Sequence, residues 1–147
     1  GAGTIAKLVH NCTSAVMNVA LAEVFTMGIK AGVPPLDLWE AVRQGATGRP
    51  RTFDRLGKFL AGQYDPADFA LRLLHKDVSL AVGLGKEVGV PMRLANLALE
   101  ELTEAMTRGW GQRDSRVGML LQVERSGIEQ PHEDINKINA IIADKSK

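Results

Sequence analysis

Five polar residues near the start of the chain are spaced three or four positions apart and could together bind a small ligand. They are Thr4, Lys7, Asn11, Ser14 and Asn18. At about 100° per residue, this spacing places them within roughly 80° of one another on an α-helix. A helix surface that faces water normally carries several charges, whereas this stripe has one amine among amides and hydroxyls. These groups suit a site that holds a small polar molecule by hydrogen bonds. The alternative is a hydrated edge of the helix.

The helix that carries this polar stripe is predicted to run from Thr4 to Ala31, and most of its other positions are apolar. One apolar series is Ile5, Val9, Cys12, Val16, Val19 and Met27, and a second is Met17, Leu21, Phe25 and Ile29. A helix that is apolar on nearly all sides is expected at the centre of a domain. Its length of about 42 Å exceeds the breadth of a compact domain with a radius of gyration near 15 Å. We therefore expect one end to meet a second domain or a second subunit.

The other predicted helices end at glycine and proline residues, which interrupt the helical pattern. They cover Leu36–Gln44, Arg51–Leu60, Phe69–Val88, Pro91–Arg108, a segment from Asp114 or Ser115 to Arg125, and Glu133–Ala143, with a loop at Gly45–Pro50 and an irregular segment at Gly62–Asp68. No stretch alternates between apolar and polar residues as a β-strand does. The sequence predicts an all-α fold with one domain over residues 1–147, of which about 128–147 form a polar tail.

Composition and charge exclude several classes of protein. The 18 basic and 17 acidic residues give a net charge of +1, without the clustered positive charge of a nucleic-acid-binding surface. No apolar run approaches the ~20 residues of a membrane span. The single cysteine, Cys12, excludes an internal disulfide and fits a reducing cytoplasm. His10, Cys12 and His75 lack the spacing of zinc ligands, so we expect no metal site.

Two motifs occur in order along the chain. The first is GAGTIAKLVHN at residues 1–11, and the second is FALRLLHKDVSLA at residues 69–81. They resemble the catalytic-helix motif and the second C-terminal motif of the 3-hydroxyisobutyrate dehydrogenase (β-hydroxyacid dehydrogenase) family. The segment GKEVGVPMRLANLALE at residues 85–100 is also typical of that family. The resemblance extends over the chain to about Gly127.

The resemblance implies both an architecture and an activity. Members of this family have an N-terminal Rossmann domain that binds NAD or NADP, and a helical C-terminal domain. That domain is a bundle around a long central first helix, like the corresponding part of 6-phosphogluconate dehydrogenase. The enzymes oxidise the 3-hydroxyl of small hydroxy acids to a semialdehyde or ketone, or catalyse the reverse reaction. Their helical domains also form subunit contacts, which implies a homodimer or a higher homo-oligomer.

The implied Rossmann domain and its glycine-rich fingerprint would precede Gly1. The helical pattern begins almost at once, with no strand before it. We therefore expect the chain to be part of a longer protein and to be inactive by itself, with the cofactor held mainly by the N-terminal domain.

The resemblance further implies roles for five residues. Lys7 matches the catalytic lysine, and Asn11 matches the polar residue that holds the substrate one turn later. Phe69 and Asp77 match positions that line the substrate and nicotinamide side, and Lys76 matches the lysine that contacts the cofactor. From helix geometry alone we expect Lys76 and Asp77 not to pair, because neighbouring helical residues point about 100° apart.

Two other functions are compatible with the sequence. One is a helical dimerisation module, in which the polar stripe faces water or a partner and has no catalytic role. The other is a relative that reduces imines or acts on 6-phosphogluconate, although 6-phosphogluconate dehydrogenases have a much larger helical domain. A dinucleotide-binding loop at Gly1-Ala2-Gly3 is disfavoured, because no strand precedes it and no third glycine follows.

Overall fold

The computed structural model describes residues 1–30, 32–44, 54–87, 89 and 92–144, and within them the fold is all-α. The helices are α1 (Ala2–Lys30), α2 (Pro35–Arg43), α3 (Gly57–Ala61), α4 (Leu71–Glu87), α5 (Arg93–Thr107), a 3-10 helix (Ser115–Met119), α6 (Leu120–Ser126) and α7 (Ile135–Ala143). The described residues contain no β-strand beyond an isolated bridge between Ala70 and Asp114.

The long first helix contacts most of the other elements. Along its 29 residues, α1 packs against α2, α4, α5, α6 and the 3-10 helix. Near its C-terminal end, a Cβ atom at Gly28 would lie 2.5 Å from Leu38 Cδ2, so glycine is what lets α2 approach this closely. The N-terminal end of α1 is apolar but is not covered by the other described elements. There Ile5 and Val9 are 50% and 60% exposed, because no other described element packs over them.

The buried apolar residues form two main clusters at successive positions along α1. The first joins the C-terminal half of α1 to α2, α3, α6 and α7, with Trp39, Phe59 and Leu60 fully buried. The second joins the middle of α1 to α4, α5 and the 3-10 helix, with Leu71 and Val78 fully buried. The middle and the C-terminal half of α1 therefore pack against different cores, and the polar stripe is placed relative to α4.

One predicted helix starts later in the structure, and another segment has its predicted start but a different helix type. The helix predicted from Phe69 begins at Leu71, because the Phe69 carbonyl, which would accept from the Leu73 N–H in the longer helix, accepts from the Ser115 N–H at 2.9 Å instead. The segment from Asp114 to Arg125 begins as a 3-10 helix and becomes α6 at Leu120, with the Asp114 side chain accepting from the Arg116 N–H as its cap.

Of the helix predicted at Arg51–Leu60, the structure shows α3 only from Gly57, because Arg55 and Leu56 form a turn. Residues 51–53 and the predicted loop Gly45–Pro50 lie outside the described residues.

The last segment, expected as a polar tail, packs onto the body of the domain. Ile138 of α7 is completely buried in the first core cluster. The Arg43 guanidinium donates to the Ile141 carbonyl at 2.8 Å, and the Glu133 N–H donates to the Leu60 carbonyl at 2.8 Å. The isoleucines of α7 pack against the first core cluster, whereas Asn136, Lys137 and Asn139 are exposed. Among the helices that the structure describes, none is both long and apolar enough to cross a membrane.

Candidate functional site

A buried carboxylate on α4 brings the side chains of the predicted site together. Asp77 is 2% exposed and accepts a hydrogen bond from the Asn11 amide, with 2.5 Å between Nδ2 and Oδ2. The Lys7 ammonium lies 3.4 Å from the same oxygen. Because Lys7 and Asn11 are one helical turn apart on α1, both side chains reach a single acceptor. The two motifs, 66 residues apart at this contact, therefore form one site.

The second lysine of the predicted site also joins this carboxylate. The Lys76 ammonium lies 3.0 Å from Asp77 Oδ1, so the expectation that these neighbours do not pair is wrong. The four-carbon lysine side chain is long enough to fold back toward the next residue, although the two Cβ atoms point apart. Lys7 and Lys76 are both more than half exposed, whereas Asp77 is buried behind them.

The electrostatics of the Asp77 carboxyl follow from these contacts. Burial by itself would raise its pKa, but the hydrogen bonds from Lys76 and Asn11 and the positive charges of Lys76 and Lys7 outweigh burial. The pKa of Asp77 is therefore held below its ordinary value. Asp77 is therefore anionic at neutral pH, and it connects Lys7 and Asn11 of α1 to Lys76 of α4.

We expect this shift to be measurable as a pH dependence of folding. A carboxyl with a lowered pKa in the folded state stabilises the fold above its unfolded pKa of about 3.9. That contribution is lost as the pH falls through the lower folded value. Urea unfolding between pH 6 and pH 2.5 should therefore show a shallower loss of stability in Asp77→Asn than in the wild type. Equal slopes in the two proteins would show that Asp77 does not have the lowered pKa.

A polar cleft of about 350 Å³ opens beside this cluster on the same side of α1. Three residues of the polar stripe, Asn11, Ser14 and Asn18, form one wall. The remaining lining residues are His10, Arg55, Phe69, Leu74, Ser115 and Arg116. Asn11 belongs to both the cleft and the Asp77 cluster, so it connects the two lysines to the cleft.

Two arginines line the cleft, and one of them, Arg55, makes it electropositive. The Arg55 guanidinium donates from Nη1 to Ser14 Oγ, a contact between residues 41 positions apart. Arg116 lies 2.7 Å from Asp114 and 3.1 Å from Asp68 through Nε and Nη2. None of the lining residues is an aspartate or glutamate. An anionic ligand would therefore meet a net positive surface.

The structure brings four of the five predicted site residues into direct contact, namely Lys7, Asn11, Lys76 and Asp77. Phe69 lies apart from the carboxylate and lines the cleft, half-buried. Sequence reasoning missed Arg55 and Arg116, because neither belongs to a motif or a periodic pattern. In the described part of the chain, no group of three or more His, Cys, Asp or Glu side chains is arranged to hold a metal ion.

Proteins that are similar to this chain include several dehydrogenases. Residues 1–121 match the family described as the NAD-binding of NADP-dependent 3-hydroxyisobutyrate dehydrogenase. The chain is 28% identical to 2-(hydroxymethyl)glutarate dehydrogenase of Eubacterium barkeri, over 87% of this chain and 42% of that protein. It is 32% identical to L-threonate dehydrogenase of Haemophilus influenzae, over 78% of this chain and 38% of that protein.

A solved structure is similar as well. The crystal structure of 3-hydroxyisobutyrate dehydrogenase from Salmonella typhimurium matches with a TM-score of 0.72 and 30% identity, over 82% of this chain and 42% of that one. The chain thus spans less than half the length of each of these relatives. Since the family match extends over residues 1–121 of the 147, the chain belongs to the NAD-binding family of NADP-dependent 3-hydroxyisobutyrate dehydrogenase.

Proposed function

We propose that the chain is the helical C-terminal domain of an NAD(P)-dependent dehydrogenase. The substrate is a small 3-hydroxy acid or the corresponding semialdehyde, and Lys7 transfers the proton. The observation that carries this proposal is the shared carboxylate of Asp77, which holds the Lys7 amine and the Asn11 amide together beside an electropositive cleft. An amine and an amide next to a positive cleft can bind a hydroxy acid by its hydroxyl and its carboxylate.

The proposed architecture is a 6-phosphogluconate-dehydrogenase-like helical bundle around α1, with residues 1–147 as one domain. A Rossmann domain precedes it and completes the site. The exposed apolar residues Ile5 and Val9 at the start of α1 support a covering partner at that end, either this domain or a second subunit of a homodimer or higher homo-oligomer. The single cysteine supports a cytoplasmic location.

Each residue of the site has a separate role in the proposed reaction. In the oxidative direction, Lys7 first releases a proton to solvent and then accepts the proton of the 3-hydroxyl as a neutral amine, and in the reductive direction its ammonium donates a proton to the carbonyl oxygen. Asn11 uses one N–H on Asp77, which leaves its second N–H and its carbonyl oxygen to hold the substrate. Asp77 positions Lys7 and Asn11, and Phe69 supplies an apolar wall to the cleft.

Lys76 fits the proposed contact with the cofactor. Its side chain is 55% exposed and its ammonium lies on the same buried carboxylate as Lys7. A cation at this outer edge can meet the phosphate or amide oxygens of a dinucleotide bound mainly by another domain. When bound, NAD or NADP supplies the hydride acceptor or donor.

A dimerisation module without a catalytic role is the second candidate. It is supported by exposed apolar side chains on three helices, namely Ile5, Val9, Leu80, Leu94 and Leu97. The two candidates differ in what they require of Lys7. A dehydrogenase needs Lys7 to transfer a proton, whereas a dimerisation module does not.

We expect activity only from the full-length polypeptide that contains this chain. It should reduce NAD or NADP in the presence of small 3-hydroxy acids, because hydride transfer needs a bound dinucleotide. The isolated chain should not reduce either cofactor. A dinucleotide's pyrophosphate is held by a loop at a helix N-terminus after a strand, and the described residues contain no strand. The measurement is absorbance at 340 nm over a panel of 3-hydroxy and 2-hydroxy acids. The proposal would be contradicted if the isolated chain showed turnover, or if the full-length protein oxidised no 3-hydroxy acid.

A further inference from the structure

We propose that Arg55 forms a subsite for a second anionic group, so that the ligands which fit this cleft best are dianionic. The proposal rests on the proposed function and extends it, because it names the substrate class: a 3-hydroxy acid with an additional carboxylate or similar oxyanion. Three features of the cleft support it.

The first feature is the pairing of the arginines. Five arginines form ion pairs, as Arg43–Asp54, Arg108–Glu104, Arg113–Asp65, Arg116–Asp114 and Arg125–Glu101. Among the described residues, three arginines have no carboxylate within 4 Å of the guanidinium, and of these Arg72 and Arg93 are exposed, whereas Arg55 is half-buried. Its hydrogen bond goes to the neutral Ser14 hydroxyl. A guanidinium has five N–H donors, and a partly buried cation without a counter-ion is unfavourable unless a ligand supplies one.

The second feature is the difference between Arg55 and Arg116. Both line the cleft, but Arg116 is neutralised by Asp114 and Asp68. Asp114 is completely buried, so it cannot be displaced by a ligand at little cost. Arg55 therefore supplies the charge that is available to an anion, and Arg116 forms a structural wall.

The third feature is the distance between the two polar regions. Asn11 and Ser14 are three residues apart on α1, a rise of about 4.5 Å along the helix. A ligand whose first carboxylate lies at Asn11 would place a second one near Ser14 and Arg55. A short dicarboxylate such as glutarate spans a comparable distance, whereas a monocarboxylate of the same length would place a methyl group beside the guanidinium.

The test compares glutarate with pentanoate, which has the same carbon chain and a methyl group in place of one carboxylate. Calorimetry on the full-length polypeptide, at saturating NAD and separately NADP, should show glutarate binding about tenfold or more tightly. In Arg55→Gln the glutarate affinity should fall by about tenfold to a hundredfold, as expected for a charge-assisted hydrogen bond. The pentanoate affinity should stay within about threefold, which also shows that the variant is folded.

Two further variants make the result specific. Arg55→Lys should retain part of the preference for glutarate, because it keeps the positive charge. Arg93→Gln, an exposed arginine of α5 outside this cleft, should leave both affinities unchanged. No preference for glutarate in the wild type, or an equal loss of both ligands in Arg55→Gln, would overturn the proposal. Glutarate binding that depends on Arg55 in a protein without dehydrogenase activity would uphold the subsite and refute the proposed function.

Discussion

Lys7→Ala in the full-length polypeptide is expected to lower kcat by about 100-fold or more on the preferred 3-hydroxy acid. Oxidation of an alcohol removes a proton as well as a hydride, and Lys7 is the side chain placed to carry that proton. Asn11, one turn further along α1, cannot replace it, because an amide does not titrate. Steady-state kinetics in both directions would give the kcat and KM values.

Two further substitutions, Lys7→Arg and Lys76→Ala, distinguish proton transfer by Lys7 from the effect of a positive charge at the site. Lys7→Arg should not restore kcat, since a guanidinium stays protonated and cannot act as a base. Lys76→Ala removes a cation from the same carboxylate, and should raise the KM for NAD or NADP with a smaller change in kcat. Lys86→Ala, an exposed lysine of α4 outside the site, is the matched control and should match the wild type. If Lys7→Ala keeps a kcat near the wild-type value, the catalytic assignment fails.

Asp114→Asn is expected to lower the free energy of unfolding by about 3 kcal/mol or more. The Asp114 side chain is completely buried. It accepts hydrogen bonds from the Asp68 N–H at 2.9 Å and from the Arg116 N–H, Nε and Nη2 at 2.7–3.1 Å. Asparagine would turn an N–H₂ group toward these donors and leave Arg116 without its buried counter-ion. The segment before α4 would then be held less firmly against the 3-10 helix.

Asp65→Asn is the matched control for this stability measurement. Asp65 also pairs with an arginine, Arg113, at 3.0 Å, but its side chain is 63% exposed. An exposed pair of this kind contributes about 0–1 kcal/mol, so urea unfolding should show little change. The assignment of Asp114 as the structural anchor would be wrong if the two variants lost similar amounts of stability.

The order of the helices and the stripe on α1 could be predicted from the sequence, because both depend on residues close together in the chain. Glycine and proline end helices through local backbone preferences, and the spacing of Lys7 and Asn11 fixes their shared face. Helix starts were less predictable. Whether Phe69 or Leu71 opens α4 depends on a hydrogen bond from the Ser115 N–H to the Phe69 carbonyl, and that partner comes from a distant segment.

What only the tertiary structure decided is which side chains meet across helices. The motifs contain Lys7, Asn11 and Asp77, but no spacing rule places a buried carboxylate of α4 between an amine and an amide of α1. Arg55 shows this most clearly, since it lies in the turn before α3 and reaches Ser14 of α1 from 41 positions away in the sequence. Such contacts depend on the packing of two separate cores around one helix, which is a property of the whole chain. The sequence by itself therefore determined the fold class, the family and the catalytic candidate, and the packing determined the shape and charge of the cleft.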